Sequence, residues 1–596
     1  MITTRPFLPL IFTILSGRDK AQVSAVKGTR GLVFSSHSSH NNYEVWGSDQ
    51  SNSVGDETSA GFHGSLLWIW DSDSIQHQLA GGQDAVPLSC TPNETTGPCD
   101  LLVIFPQNLK QYDQDGNEIG ELGDLSKFGR LHGVIPDPYN RYVTANVFAP
   151  GGGYVGVIDT ETKEAIGLFR VASTQGTGVK RSVHMSIWNE DGSAILVANL
   201  HGKMIERINV EREGDTGTIT NLYFDQSAAV YLGKNFVLDE GATYFRGENA
   251  FGNELIGDVI GSYNDADTDN MTPAGVCKEG GCGNPDEDNQ GGVRTNNVPI
   301  CPITSMNNNG YITMGSGGLF VIKLDQTPMK IIGEYGNAIL NGAGCGGVEA
   351  NGRMFLNGGI SAASSGATQS TFTVYAFEDA GFHLGAEPVQ NIPSPIQVFK
   401  DPTNTNTIGN IDGVNGANNS GQLPSMSTRR DSHGAEVTID GKYLHVTDRI
   451  QNTMEVFDTV SLERVNTYDL VSLSGQTGRV GPAAACLGSS VLDDASLQRN
   501  DPAPDLFDIT PDGKYLMVAF RGPKPVSVSH AAQGSCPGVG IVELTDDGKA
   551  GKLVGVLRTT NTIDTVPVGE IVGGHNYEGA ERSDVHGAIV VTKRKR

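Results

Sequence analysis

The sequence lacks a bilayer-length apolar segment, an excess of positive charge and the usual nucleotide-binding motifs. Its apolar run at 6–15 is much shorter than the roughly 20 residues that a membrane-spanning helix needs. Lysine and arginine number 42 against 68 acidic residues, and the formal net charge of −26 argues against a nucleic-acid partner. No G-x-S-x-G, Walker or dinucleotide-binding motif stands in a strand-to-helix context. We therefore expect no membrane span and no nucleic-acid partner.

Charged residues (18%) and aromatic residues (7%) are also few, whereas glycine is abundant, with 77 of 596 residues. This composition is typical of a turn-rich β protein rather than a helical one. The apolar share of 38% suffices for a core that is spread over many short strands.

The N-terminus resembles a secretory signal. Arg5 precedes the apolar run at 6–15, and VSA at 23–25 resembles a cleavage site, although charged residues occupy 18–20. We expect residues 1–25 to be a signal segment and residues 26–596 to be the folded protein.

Cysteines and glycosylation sequons also favour export. The eight cysteines are an even number and include no C-x2-C pair, so local disulfides are expected rather than zinc. The close pairs are Cys90 with Cys99 and Cys277 with Cys282. Sequons occur at Asn93, Asn270 and Asn418. We predict a secreted glycoprotein with disulfides.

A repeated unit organises the chain, and residues 432–458 show it best. Apolar alternation leads to an Asp440-Gly441 turn, a second alternating run and then a third, which is typical of antiparallel strands joined by hairpins. Similar units start at Leu131, Val183, Val298 and Ala343, and another spans 505–558. Strands are also expected near 43–49, 66–71 and 101–105.

With the N-terminal strands counted as one unit, the repeats number seven. The run VHGAIVV at 585–591 is a lone inner-type strand that can complete the N-terminal unit and close a ring. The sequence therefore predicts an all-β fold, a single seven-bladed β-propeller closed by the C-terminal strand. Long insertions are expected at about 211–297 and 380–430. Six or eight blades, or an array of β-sandwiches, are the alternatives.

Two of these units resemble YVTN-type propeller repeats. RYVTAN at 141–146 precedes VGVID at 155–159, and YLHVTD at 443–448 precedes VFD at 456–458. The resemblance implies a propeller fold and carries no information about function.

Histidines recur at one position of the repeat. His132, His184 and His433 each lie eight residues before a turn residue, and Asp505 has the same offset in the seventh unit. His586 shares the His-Gly pair of His132 and His433. The first strand of each propeller blade lines the channel, so these side chains should converge on the axis.

Converging imidazoles favour a transition metal, with copper preferred and iron or zinc as alternatives. Each histidine could instead simply hydrogen-bond to a neighbouring blade. His63, also followed by glycine, is a further candidate ligand. Candidate catalytic residues near these strands are Glu436, Asp584 and Arg181.

Two other groups have different expected roles. Cys301 and Cys345 start adjacent inner strands one residue out of register, and a disulfide is favoured over copper ligation. The acidic run Asp265, Asp267 and Asp269 lacks the glycine and glutamate of an EF-hand, which leaves a loosely bound structural calcium ion as the expectation.

The His-Gly strand starts and the unit HMSIWNEDGSAILVANLHG at 184–202 are similar to the selenium-binding protein/methanethiol oxidase family. The resemblance implies a seven-bladed propeller with histidine-held copper. The carotenoid oxygenases share an arrangement of four histidines, but none of their other sequence features is present. We expect an exported oxidoreductase that acts on a small molecule. The alternatives are a metal-assisted lyase or hydrolase, and a non-catalytic propeller that binds proteins or glycans.

Overall fold

Alternating apolar residues form antiparallel strands throughout the parts of the chain that can be described. The computed structural model describes residues 42–50, 66–105, 110–112, 117–121, 130–149, 152–171, 183–200, 204–214, 217–232, 244–248, 254–256, 299–315, 317–335, 340, 344–358, 372–384, 392–401, 431–449, 452–470, 502–522, 537–559, 571–572, 575–576 and 583–593.

The N-terminal region supplies part of a blade and two helices. The strands are β1 (Tyr43–Asp49), β2 (Leu66–Asp71) and β3 (Cys99–Asp100), and the helices are α1 (Ser72–Leu79) and α2 (Leu101–Ile104). Asp71 caps α1 by accepting a hydrogen bond from the Ser74 amide. The predicted strand at 101–105 is wrong, because this apolar stretch forms α2. Two short strands follow, β4 (Lys110–Tyr112) and β5 (Glu118–Glu121).

The next two blades are regular four-stranded sheets. They consist of β6 (Arg130–Pro136), β7 (Tyr142–Ala149), β8 (Gly152–Asp159) and β9 (Ala165–Val171), then β10 (Val183–Trp188), β11 (Ala194–Asn199), β12 (Met204–Glu213) and β13 (Thr218–Tyr231). Strands β14 (Tyr244–Glu248) and β15 (Glu254–Ile256) join β4 and β5 in a small separate sheet.

Four further blades follow the same order. They are β16 (Pro299–Thr304), β17 (Asn309–Met314), β18 (Leu319–Lys323), β19 (Lys330–Tyr335); β20 (Gly347–Ala350), β21 (Arg353–Gly358), β22 (Phe372–Glu378), β23 (Ile396–Asp401); β24 (Ser432–Val437), β25 (Tyr443–Asp448), β26 (Thr453–Asp458), β27 (Arg464–Asp469); and β28 (Ala503–Ile509), β29 (Tyr515–Arg521), β30 (Gly538–Thr545), β31 (Ala550–Arg558). Two-residue strands β32 (Ile571–Val572) and β33 (His575–Asn576) precede the last strand, β34 (Val585–Thr592). Strands β13 and β23, the outer strands of their blades, lie within the ranges expected to be insertions.

The last strand closes the ring. β34 pairs antiparallel with β1, with Trp46 opposite Ile589, and the sheet order is β3-β2-β1-β34. The first blade thus takes its innermost strand from the C-terminus, as predicted. The protein is a seven-bladed β-propeller.

The core lies between neighbouring blades. Each blade packs apolar side chains on both faces, and Trp70, Val539 and Val590 meet where the seventh blade contacts the first. Trp46 and Trp70 are completely buried. Among the helices of the described ranges, none combines the length and apolarity needed to traverse a membrane.

The first hairpin of the second, third, sixth and seventh blades explains the constant spacing seen in the sequence. Asn140, Gly192, Gly441 and Gly513 all have positive φ, between 54° and 72°, at the same point of the turn. A fixed turn type fixes the number of residues between the turn and the start of the inner strand. Residues at this spacing therefore lie at one height along the channel.

Candidate metal centre

One residue from every blade meets at the axis, near the start of the inner strand. We call this set the axial ring; in blade order it comprises His586, His132, His184, Cys301, Cys345, His433 and Asp505. The ring lies at the end of the channel where each blade is joined to the next. The hairpin turns lie at the opposite end.

The four predicted histidines come together. Ring centroids are 3.9 Å apart for His132 and His586, 4.4 Å for His132 and His184, and 5.5 Å for His433 and His586. All four are buried, and His586 is completely inaccessible to solvent. The shared spacing in the sequence therefore corresponds to a single cluster of imidazoles.

The remaining members complete the circle. Asp505 contacts Nδ1 of His433, and its other oxygen lies 4.0 Å from Nε2 of His586. On the opposite side, Nδ1 of His184 is 3.9 Å from Sγ of Cys301, which forms a disulfide with Cys345. The predicted Cys301–Cys345 disulfide is confirmed, as is Cys90–Cys99 at the edge of the first blade.

Glycine follows several ring residues because the inner strands crowd together near the axis. A Cβ on Gly434 would lie 2.4 Å from the carbonyl oxygen of Asp505, and one on Gly346 would lie 2.3 Å from that of His433. The His-Gly pair therefore has a packing reason at Gly434. Asn357 joins the fifth and sixth blades, since its side-chain amide donates to the carbonyl of His433 and its side-chain carbonyl accepts from the Gly346 amide.

Two buried guanidinium groups support Asp505. Arg521 donates to Asp505 over 2.9 Å and to both oxygens of Asp584 over 2.7 and 2.6 Å. Arg449 pairs with Asp431 through two hydrogen bonds of 3.0 and 2.6 Å and lies 3.7 Å from Asp505. The three carboxylates and two guanidinium groups together carry one negative charge, which favours a cation nearby.

Burial sets the protonation of the ring. Burial lowers the pKa of His433, and repulsion from the Arg449 guanidinium lowers it further. Burial also lowers the pKa of His586, to well below its usual range. In both cases the attraction of the Asp505 carboxylate acts in the opposite direction. Burial alone would raise the pKa of Asp505, but the hydrogen bond with His433 and the positive charge of Arg449 hold that pKa below its usual range. Two imidazoles are therefore neutral and a carboxylate is ionised at neutral pH, which is the state that binds metals.

A cavity occupies the channel beside the ring. Its lining includes residues that directly follow ring members, namely Met185, Gly346, Leu506 and Gly587, and continues with mostly apolar side chains towards the hairpin turns. Glu190, Glu349 and Glu436 also line it. Burial raises the pKa of Glu349 to about 7. The cavity therefore combines apolar walls with three carboxyl groups.

The other predicted site residues have different positions. Glu436 lies on the cavity wall, three residues along β24 from His433, and its carboxylate accepts a hydrogen bond from the Val437 amide. Asp584 is paired with Arg521. His63 and Arg181 lie outside the described residues, as do the Cys277–Cys282 pair and the acidic run at 265–269.

Arg449 and Arg521 were missed by sequence reasoning. Each lies eight residues after the turn glycine of its blade, Gly441 or Gly513, just as the ring residue lies eight before it. This mirrored spacing was a signal that could have identified them. Asp505 was recognised as equivalent to the histidines but was not predicted to be a site residue.

Comparison with known proteins gives little beyond the architecture. No known family profile matches the chain, and no curated protein sequence matches it. Solved structures of similar chain path include a Lactobacillus plantarum protein (10% identity, TM-score 0.40, 87% of this chain and 97% of that one). A hypothetical selenium-binding protein from Sulfolobus tokodaii has 10% identity and a TM-score of 0.38, over 92% of this chain and 93% of that one.

The periplasmic gluconolactonase of Pseudomonas aeruginosa has 9% identity and a TM-score of 0.34, over 86% of this chain and 97% of that one. Values this low carry no conclusion about chemistry. The propeller assignment rests on the sheet topology.

Proposed function

We propose that the axial ring binds a single transition metal ion and that the protein is an exported metalloenzyme, an oxidoreductase acting on a small, largely apolar molecule. The observation that carries this proposal is the convergence of four buried imidazoles from four different blades. One imidazole in a strand has many structural explanations. Four in contact at one height suit a metal centre better than they suit packing.

The residues present fit such an ion. His433, Asp505 and His586 each offer a ligand atom within 4.8 Å of the others. Nitrogen ligands of a tetrahedral ion stand about 3.3 Å apart, so a small side-chain adjustment would bring the imidazoles of His433 and His586 into range. We assign Asp505 a positioning role, because it engages Nδ1 of His433 and leaves Nε2 of that ring for the metal.

When bound, a copper or iron ion would supply one-electron chemistry, whereas zinc would supply Lewis acidity. The protein's own residues form the environment of the ion and of the substrate. The cavity wall orients an apolar substrate against the ring and excludes water, and the Arg449 and Arg521 pairs keep Asp505 ionised. Glu436 and Glu349, on the same wall, are placed to exchange a proton with bound substrate. Asp584 would act through Arg521.

Metal analysis of the purified full chain tests the proposal. We expect one transition metal ion per molecule, or stoichiometric uptake of copper(II), iron(II) or zinc(II) by protein isolated without metal. His433→Ala should lose stoichiometric binding while its circular dichroism spectrum stays that of a β protein. The matched control is His383→Ala, which removes an exposed imidazole outside the ring.

The alternatives give different results. A non-catalytic propeller that binds proteins or glycans would neither contain nor take up an ion in stoichiometric amounts, and this outcome would contradict the proposal. Zinc without copper or iron would redirect it to a metal-assisted lyase or hydrolase. Copper(II) in the ring should give an electron paramagnetic resonance spectrum with nitrogen hyperfine structure, and identical spectra from wild type and His433→Ala would also overturn the assignment.

Export is part of the proposal. Two disulfides in the described residues and an exposed sequon at Asn93 suit a secreted glycoprotein. Expression through a eukaryotic secretory pathway should add a glycan at Asn93, and Asn93→Gln should remove it, as measured by intact mass. His63 and Arg181 remain proposed site residues, and structural calcium at 265–269 remains a proposal.

A further inference from the structure

A disulfide occupies the part of the axial ring between His184 and His433. Cys301 belongs to the fourth blade and Cys345 to the fifth, and their sulfur atoms take the ring positions between His184 and His433. A disulfide deep in a propeller channel closes no sheet edge, and both blades already have four strands.

The disulfide and the neighbouring His184 have the residue types and the spacing of a set of metal ligands. Nδ1 of His184 lies 3.9 Å from Cys301, and one ligand atom from each of His184, Cys301 and Cys345 falls within 4.8 Å of the others. The His132 ring contacts that of His184 at a centroid distance of 4.4 Å, so a fourth ligand is close. Cys345 also lines the channel cavity, which gives small molecules a route to the sulfur.

We propose that Cys301, Cys345 and His184 form a second metal site that opens only when the disulfide is reduced, and that its ion is soft, copper(I) or zinc(II). In the oxidised protein the sulfur atoms are bonded to each other and are poor ligands. In the reduced protein they become two thiols, which can bind these ions as thiolates beside an imidazole, a combination that the ions prefer.

A dithiol reductant supplies the electrons and protons that open the Cys301–Cys345 disulfide. Two electrons and two protons pass from the dithiol to the protein disulfide, the Cys301–Cys345 bond breaks, and the reductant becomes a cyclic disulfide. Binding of the ion then releases the two thiol protons. The site therefore couples the redox state of the surroundings to metal binding on one side of the ring.

Cobalt(II) is the probe of choice, because a thiolate–cobalt bond gives a charge-transfer absorption that an imidazole–cobalt bond does not. The full chain is reduced with dithiothreitol, desalted without oxygen and titrated with cobalt(II). We expect the thiolate band to appear in the reduced protein, to saturate at one ion per chain and to be absent from the oxidised protein.

Substitutions identify the residues that give rise to the thiolate–cobalt(II) absorption band. Cys301→Ser and Cys345→Ser should each abolish or strongly weaken it, and His184→Gln should weaken and shift it. The matched control is the double substitution Cys90→Ser with Cys99→Ser, which removes the disulfide at the edge of the first blade and should leave the band intact. A band that persists in both Cys301→Ser and Cys345→Ser would overturn the proposal.

A second measurement needs no variant. Zinc(II) should protect Cys301 and Cys345 of the reduced wild type from alkylation, as read by peptide mass spectrometry, while Cys90 and Cys99 react equally with and without the ion. Equal alkylation of Cys301 and Cys345 in both conditions would refute the site. This result is separate from the metal content of the oxidised protein, so either proposal can fail alone.

Discussion

Asp505 contacts charged or titratable side chains from three blades. It engages His433 and Arg449 of the sixth blade, Arg521 of its own blade and His586 of the first. A buried carboxylate is costly unless charged partners compensate it, and here Arg521 donates a hydrogen bond while the Arg449 guanidinium lies 3.7 Å away. The same contacts fix the orientation of the His433 ring.

Removing this charge should affect both stability and metal binding. Asp505→Asn keeps the shape of the side chain but removes the negative charge that faces Arg521 and Arg449. We therefore expect a loss of about 3–5 kcal/mol in the free energy of unfolding. Metal affinity should fall about 10- to 100-fold, the usual effect of losing a group that orients a ligand. The control is Glu378→Gln, which breaks an exposed ion pair with Arg353 and should cost under about 1 kcal/mol.

Denaturant unfolding and metal titration of the two variants measure these effects. If Asp505→Asn binds metal like the wild type, Asp505 does not position His433.

His445 gives a pH-dependent prediction outside the ring. It is buried on β25 and bonded to the Tyr468 hydroxyl and the Gly548 carbonyl, and burial lowers its pKa to about 4. In the unfolded chain that pKa is about 6.5. Between these pH values the unfolded chain binds the proton and the folded chain does not, so His445 loses stabilising effect as the pH falls.

His445→Gln should therefore destabilise the protein most at neutral pH. We expect the difference in unfolding free energy between variant and wild type to shrink by about 2 kcal/mol as the pH falls from 7.5 to 5. The reason is that only the wild type has an imidazole that is protonated in the unfolded chain and neutral in the folded one. Chemical denaturation at both pH values measures it. A difference that stays constant would contradict the assignment, and His383→Gln, at an exposed position, should follow the wild-type profile.

At the scale of the element, the glycines that follow ring residues differ in what surrounds them. Two glycines beside ring residues, Gly346 and Gly434, admit the backbone of the next blade, and at Gly434 a Cβ would also lie 2.8 Å from Phe507. At Gly133 the nearest atom to an added Cβ is the Met185 sulfur at 3.1 Å, which belongs to a flexible side chain. The same His-Gly pair therefore has different tolerance in different blades.

Alanine substitutions at these two glycines form a matched pair. Gly434→Ala must push β24 away from β28, and we expect a loss of about 1–3 kcal/mol together with weaker metal binding. Gly133→Ala should cost less than about 1 kcal/mol, since Met185 can adopt another rotamer. Thermal unfolding compares the two; equal losses would show that backbone contact is not what requires glycine at Gly434.

At the scale of the molecule, β34 holds the ring closed. Val585, Ile589, Val590 and Val591 of this strand are buried. At about 1.5–3 kcal/mol for each buried aliphatic side chain, their contribution is comparable with the whole stability of an ordinary domain. Without β34, β1 also becomes an exposed sheet edge.

A truncated chain tests this closure. Removal of residues 583–596 should abolish cooperative unfolding and cause aggregation through the exposed edge. Removal of residues 594–596 alone leaves β34 complete and should preserve the wild-type melting temperature. Calorimetry and size-exclusion chromatography report both outcomes. A truncated chain that still melts cooperatively would mean that the remaining blades are stable as an open structure.

The sequence located the imidazoles because a constant turn fixes the spacing between turn and ring. His132, His184, His433 and His586 could be predicted for that reason. The contacts around Asp505 could not, since they depend on which blades become neighbours around the axis. The stretch at 101–104 was also misjudged, because a short apolar run is compatible with a strand or a buried helix turn.

The last strand of the chain carries His586 as well as the closing edge of the first blade. The four imidazoles therefore come together only when β34 pairs with β1, strands that stand more than 500 residues apart in the sequence. Any ligand that requires all four can bind only after this pairing has formed, so its uptake should report the folding of the two ends of the chain onto each other.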